Sequence, residues 1–311
     1  MKIKKFLFVG TGFYLSYKLT AKMVLDPEVE MSIEERFNKY GLKLEKHYVT
    51  TEDDYVILVH RVINPENTDT SPIYLQHGWL DSSYSWICNG DKSGAVILAR
   101  NGFDVWMNNS RGNFQSKMHK YLDPDSHPKY WDFSFEEMAL YDSKAVINHI
   151  TDKTGQEKIP WVGLSQGGAL MFYGLARDHD WFKHHCSLFV GLCPVVNPGK
   201  DSSTFANIMS KKSKQIEKFN NFFGINEVPR YAYGFSKFLA IINHICPPLM
   251  KSGLRNFSDT HPDLVDPIAY QRYIYNFPAG TSTKNLRLWE QIYNSSNLVT
   301  YNYGEENNYK K

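Results

Sequence analysis

The 311-residue sequence has little cysteine: four residues, scattered at Cys88, Cys186, Cys193 and Cys246. That excludes a disulfide-dense scaffold, and no C-x-x-C pair is there to hold zinc. One disulfide at most is expected, with its pairing open. The chain also lacks an excess of one charge, since 35 Lys+Arg against 33 Asp+Glu leave a net +2. Without a dense basic stripe, no nucleic-acid partner is expected. Internal repeats and low-complexity tracts are missing. Disorder over most of the chain is excluded as well, because 15% of residues are aromatic and the net charge is small.

The N-terminus has no apolar run of membrane-spanning length. Three lysines within Met1 to Lys5 precede ten mainly apolar residues, Phe6 to Leu15. A bilayer needs ~20. A basic head before a short apolar stretch is the form of a secretory signal peptide. If Lys18 and Lys22 snorkel, Phe6 to Leu25 serves instead as an uncleaved anchor that associates the chain with a membrane. A buried first strand or helix is the third reading. Residues 1–25 are therefore set apart as a signal peptide or N-terminal anchor. Sequons at Asn256 and Asn294 are compatible with secretion.

What is present is an alternation of strands and helices. Residues 47–62 read as two strands around a turn at Glu52-Asp53-Asp54. Pro72 to Gln76 is a buried strand that runs into the turn His77-Gly78. Ala95 to Arg100 is helical and stops at Asn101-Gly102. Phe103 to Met107 is the next strand. Ser134-Phe-Glu-Glu137 forms a capping box. It opens a helix with Phe135, Met138, Ala145, Val146 and Ile150 on one stripe. Lys158 to Leu164 is a strand, residues 166–178 a helix, and Ser187 to Leu192 a strand. This pattern predicts an α/β fold, a mostly parallel sheet flanked by helices, over residues 28–195. After Pro194 the alternation ends. Residues 196–290 look mainly helical and carry Phe219, Phe222, Phe223, Tyr231, Tyr233, Phe235 and Phe238. That composition suits a helical cap or lid over an apolar site, or the core of a helical subdomain.

Gly163-Leu164-Ser165-Gln166-Gly167 falls between a strand and a helix. A G-x-S-x-G in this context forces a sharp reversal at Ser165, and Gly163 and Gly167 leave room for the backbones that meet there. Ser165 is the candidate nucleophile, raised at a helix N-terminus that favours negative charge. A serine needs a base, an acid to orient the base, and donors for the oxyanion. The candidate donors are the backbone amide of Gln166 and that of Trp79, for which Gly78 allows close approach. His77 reads better as a turn histidine that holds its loop than as the general base. No metal or other cofactor is expected.

Several stretches resemble the acid lipases, the gastric and lysosomal family. They are Leu75-Gln-His-Gly-Trp-Leu-Asp-Ser-Ser83, Gly102 to Asn113, Trp131 to Met138 and Val162 to Gly167. In the cap, Asn276-Phe-Pro-Ala-Gly-Thr-Ser282, Asn285 and Trp289 resemble it too. The resemblance spans about residues 28 to 304. It implies an α/β-hydrolase fold with a helical cap. It also implies hydrolysis of triacylglycerol or cholesteryl esters at a lipid–water interface, in a lysosomal or extracellular setting. Trp79 stands where the family has leucine, and its bulk is expected to narrow the acyl pocket. In the family, the triad acid and histidine follow the cap, on loops after the last two strands. No residue here matches those positions, so neither is assigned. Residues 291–311 are read as a return to the core. The last strands of the sheet are expected to be missing, with Ser187 to Leu192 left as its edge. The later histidines, His179, His184, His185, His244 and His261, are expected at surface or capping positions, and His261-Pro-Asp263 is a weak base-and-acid candidate. Two further readings stay open: a non-catalytic lipid-binding relative, and another serine hydrolase such as a peptidase or thioesterase on the same scaffold.

Overall fold

The computed structural model describes residues 25–67, 70–198, 215, 219–220, 222–257, 261–295 and 297–304. The signal-peptide or anchor segment and much of 199–221 lie outside these residues. No described helix is long and apolar enough to cross a membrane.

Among the described residues seven strands form one sheet: β1 (Lys43–Thr50), β2 (Tyr55–Ile63), β3 (Ser71–Gln76), β4 (Phe103–Asn108), β5 (Met118–His119), β6 (Ile159–Leu164) and β7 (Cys186–Leu192). The order is β1-β2-β4-β3-β6-β7, with β5 paired to β2. The expected parallel sheet is the half that carries the serine. There β3 runs parallel to β4 and β6, and β6 parallel to β7. The N-terminal half is antiparallel, because the tight turn at 51–54 folds β2 back on β1.

The period of two sorts side chains to two faces. Ile73, Leu75, Val105 and Met107 pack against helices α1 (Ile33–Lys39) and α2 (Gly94–Arg100). Tyr74, Trp106 and Trp161 enter the opposite core. That core is built with α3 (Phe135–Glu137), α4 (Ser143–Thr154) and α5 (Gln166–Arg177), while α6 (His179–His185) adds Phe182. Burial on both faces explains why β3 reads as an unbroken apolar run. The Ser134 capping box is present, with Glu137 reaching back to the Ser134 amide at 2.7 Å. The helix it opens is not uniform, because a π turn over Met138–Asp142 separates α3 from α4.

Beyond the sheet lie α7 (Tyr233–Ile245), α8 (Pro247–Phe257), α9 (Pro267–Ile274) and α10 (Thr283–Ser295). Phe219, Phe222, Phe223, Tyr233, Phe235 and Phe238 are all exposed, while Tyr231 is half-buried. All four cysteines are free thiols. Among the described residues no strand pairs with the outer edge of β7, where Leu188 is 58% exposed and Val190 and Leu192 are also exposed.

Candidate active site

The site lies at the carboxyl ends of β3 and β6. Ser165 closes β6 with φ 52° and ψ −114°, a sparsely populated conformation for a residue with a Cβ. Its amide donates to the Leu192 carbonyl at 2.9 Å, which ties the reversal to the end of β7. Its carbonyl accepts from the amides of Gly168 and Ala169 at 3.0 and 3.2 Å, so α5 starts immediately. A Cβ on Gly163 would sit 2.4 Å from the Gly167 carbonyl oxygen, and one on Gly167 would sit 2.4 Å from that of Gln76. The two glycines are therefore required by backbone contact on both sides of the serine. The Gln166 amide is the first of α5, and it has no carbonyl one turn back to bond.

The turn after β3 passes close by. A Cβ on Gly78 would meet the Ser165 Cβ at 3.3 Å. His77 organises this turn. Its Nε2 accepts from the Ser110 amide at 2.9 Å, so the ring proton resides on Nδ1 and is donated to the Gly78 carbonyl at 2.8 Å. In a trans peptide the N–H lies opposite the C=O. By fixing the Gly78 carbonyl, His77 fixes the direction of the Trp79 amide. Both ring nitrogens are committed, which agrees with a loop-holding histidine and leaves none for Ser165. Burial pushes the imidazole down to about 4, partly opposed by the Gly78 carbonyl.

The loop continues through Leu80, which has φ 58°. Its carbonyl accepts from the Ala279 amide at 2.6 Å. Asp81 follows, fully buried. Burial drives its carboxyl up to about 7, against the Ser82 amide that donates to it at 2.8 Å. Below the turn, Gln76 accepts from the Tyr74 hydroxyl at 2.5 Å and from Asn108 at 2.8 Å. Arg111, buried against the Tyr55 ring, donates to Asp142 at 2.7 Å and to Asp53 at 2.5 Å. Burial disfavours the guanidinium charge, but the two carboxylates more than offset this and hold its proton tightly. The network pins the loop after β4 that supplies the Ser110 amide.

The Gln166 side chain turns away from Ser165 and is gripped from α10. Its Oε1 accepts from Trp289 Nε1 at 2.6 Å and from Asn285 Nδ2 at 3.2 Å, and its Nε2 donates to the Met138 sulfur at 3.5 Å. The sequence pointed to Asn285 and Trp289 without a role for either. More than a hundred residues separate them from the serine, so no local pattern could connect them.

Among the described residues no imidazole hydrogen-bonds the Ser165 hydroxyl. His185 bonds the Trp181 carbonyl at 2.8 Å and stacks on that ring. Asp263 is an exposed carboxylate paired with Lys251 and Arg255. His179 and His184 lie on α6, and His244 lies near the end of α7.

Two family models match the chain: a partial alpha/beta-hydrolase lipase region at residues 33–90, and the alpha/beta hydrolase fold at 71–224. Lipase member K of Mus musculus is 34% identical over 290 residues, covering 90% of this chain and 71% of that protein. Gastric triacylglycerol lipase of Mus musculus is 36% identical over 292 residues, with coverage of 90% and 71%. Lysosomal acid lipase/cholesteryl ester hydrolase of Homo sapiens is 33% identical over 307 residues, with coverage of 92% and 72%. With identity at this level sustained across nine-tenths of its length, and a serine elbow beside a glycine turn at the sheet's carboxyl edge, the chain belongs to the gastric and lysosomal acid lipase family of α/β hydrolases.

Proposed function

We propose that this chain is a serine carboxylic-ester hydrolase acting on lipid esters of the triacylglycerol or sterol type. Ser165 attacks the ester carbonyl, and the oxyanion is received by the amides of Gln166 and Trp79. The ester C–O bond breaks, the alcohol leaves with the proton given up by the serine, and water then hydrolyses the acyl-enzyme to the free acid and restores the Ser165 hydroxyl. The observation that carries the reading is the pairing of a strained, half-buried Ser165 with a Gly78 turn so near that a Cβ on Gly78 would lie 3.3 Å from the Ser165 Cβ. The lipid class is supported by the names of the relatives and by six exposed aromatic side chains on the region beyond the sheet, suited to a lipid–water interface. The gastric and lysosomal settings of those relatives support a secretory-pathway location.

A second reading, a lipid-binding relative without turnover, is favoured by one observation: no described imidazole reaches Ser165. An alkyl fluorophosphonate probe separates the two. Labelling of the folded 311-residue chain that vanishes in Ser165→Ala is expected for the hydrolase. A folded chain that stays unlabelled while binding a fluorescent fatty ester overturns it in favour of the binder.

A further inference from the structure

Both candidate oxyanion amides are braced by one stretch of chain remote from either in sequence. Ala279 donates its amide to Leu80, the residue after Trp79, at 2.6 Å, and its carbonyl accepts from the Phe114 amide at 2.9 Å. Six and ten residues on, Asn285 and Trp289 close on the Gln166 carboxamide at 3.2 and 2.6 Å. The stretch between is itself locked. The Ser282 hydroxyl donates to the Phe133 carbonyl. Asn285 accepts the Phe135 amide at 2.9 Å. Trp289 lies 5.2 Å from the Phe135 ring. Ala279, Ser282 and Asn285 are all fully buried. Two donors on one carboxamide oxygen, in a buried setting, hold that side chain far better than solvent contacts could. A residue whose side chain is fixed this way has little freedom to tilt its own amide, which for Gln166 is the first of α5.

We infer that Asn285 and Trp289 are positioning residues for the candidate oxyanion hole, acting through the Gln166 side chain. They touch no reacting atom. Their work is to fix the direction of the amide that follows the serine. The inference rests on the proposed serine chemistry for its purpose, while the physical coupling it describes does not depend on turnover.

The test is a double-mutant cycle in the full chain, with Trp289→Phe, Gln166→Leu and the pair. Phenylalanine keeps an aromatic ring beside Phe135 while it deletes the indole donor together with part of the ring's bulk, and the exchange and double-mutant readouts separate the donor from the lost volume. Three quantities are read: the fluorophosphonate labelling rate of Ser165, amide hydrogen exchange over residues 163–169, and the melting temperature. Trp289→Phe is expected to slow labelling by about tenfold, short of the roughly 100-fold or more lost when an oxyanion donor is removed outright. It is expected to speed exchange over 163–169 while moving the melting temperature little. In the Gln166→Leu background it changes neither labelling nor exchange further, because the shared partner is already gone. Additive effects, or wild-type exchange and labelling in Trp289→Phe, overturn the inference. If the wild-type chain takes no label, the serine reading fails, and the exchange cycle alone decides whether the clamp positions the elbow.

Discussion

Replacing His77 with glutamine probes the turn that carries the Trp79 amide. Glutamine can offer one acceptor and one donor but cannot titrate. In the native chain, protonating His77 means placing a proton on Nε2, which breaks the 2.9 Å bond from the Ser110 amide and charges a buried ring. The folded-state value near 4 lies below the ordinary 6.5. The contribution to stability is therefore fully present above about pH 6.5 and is lost as pH falls toward 4. At 1.36 kcal/mol per tenfold difference in proton affinity, the whole effect is about 3 kcal/mol, of which about 2 kcal/mol disappears between pH 6.5 and 4.5. Buried His60, pushed down to about 3, acts in the same direction, and Asp81 acts in the opposite one. The comparison of His77→Gln with wild type cancels both. Denaturant unfolding at half-unit steps from pH 4.5 to 7.5 should show the variant curve flatter by about 2 kcal/mol over that interval. Parallel curves would refute the assignment of a neutral, doubly bonded imidazole.

Asp81→Asn should raise stability at pH 8, by up to about 4 kcal/mol, and leave pH 4 nearly unchanged. The raised carboxyl favours the fold at low pH and loses that advantage as pH climbs through about 7, so equal gains at both pH values in urea unfolding would count against it. Gly167→Ala forces a Cβ to within 2.4 Å of the Gln76 carbonyl oxygen and should destabilise the chain by about 3 kcal/mol or more while abolishing Ser165 labelling. A wild-type melting temperature would show that the elbow can relax. Leu188→Lys places a charge on the exposed outer strand and should raise the soluble, monodisperse fraction in light scattering with stability within about 0.5 kcal/mol. Unchanged aggregation would mean that β7 is not the sticky surface.

The elements that place the serine were legible because their signals are local. A buried run before His77-Gly78, a strand before Gly163, and a capping box at Ser134 each follow from a few adjacent residues. The glycines at 163 and 167 announced the close approach that the backbone makes there. What could not be read depends on contacts across the fold. Leu80 occupies left-handed space with no glycine to mark it, because the Ala279 amide holds its carbonyl. The π turn is hidden because Phe135 and Met138 keep a normal helical spacing, as do Val146 and Ile150; only their relative phase is altered. The partners of Gln166 lie 119 and 123 residues away. Asp142 gave no sign of itself until Arg111 was seen buried beside it.

The widened turn at Met138–Asp142 has a consequence for sequence length. Each residue of a regular helix advances the rotation by about 100°. The extra residue here sets the phase between the two halves, so that Met138 faces Gln166, Asp142 meets Arg111, and Val146 and Ile150 still enter the sheet's core. Trimming one residue to restore ordinary winding would swing one half out of alignment with the other. Either the sulfur leaves Gln166 or a charged guanidinium is stranded in the interior. Homologues should thus tolerate side-chain exchange along this helix far more readily than a gap within it.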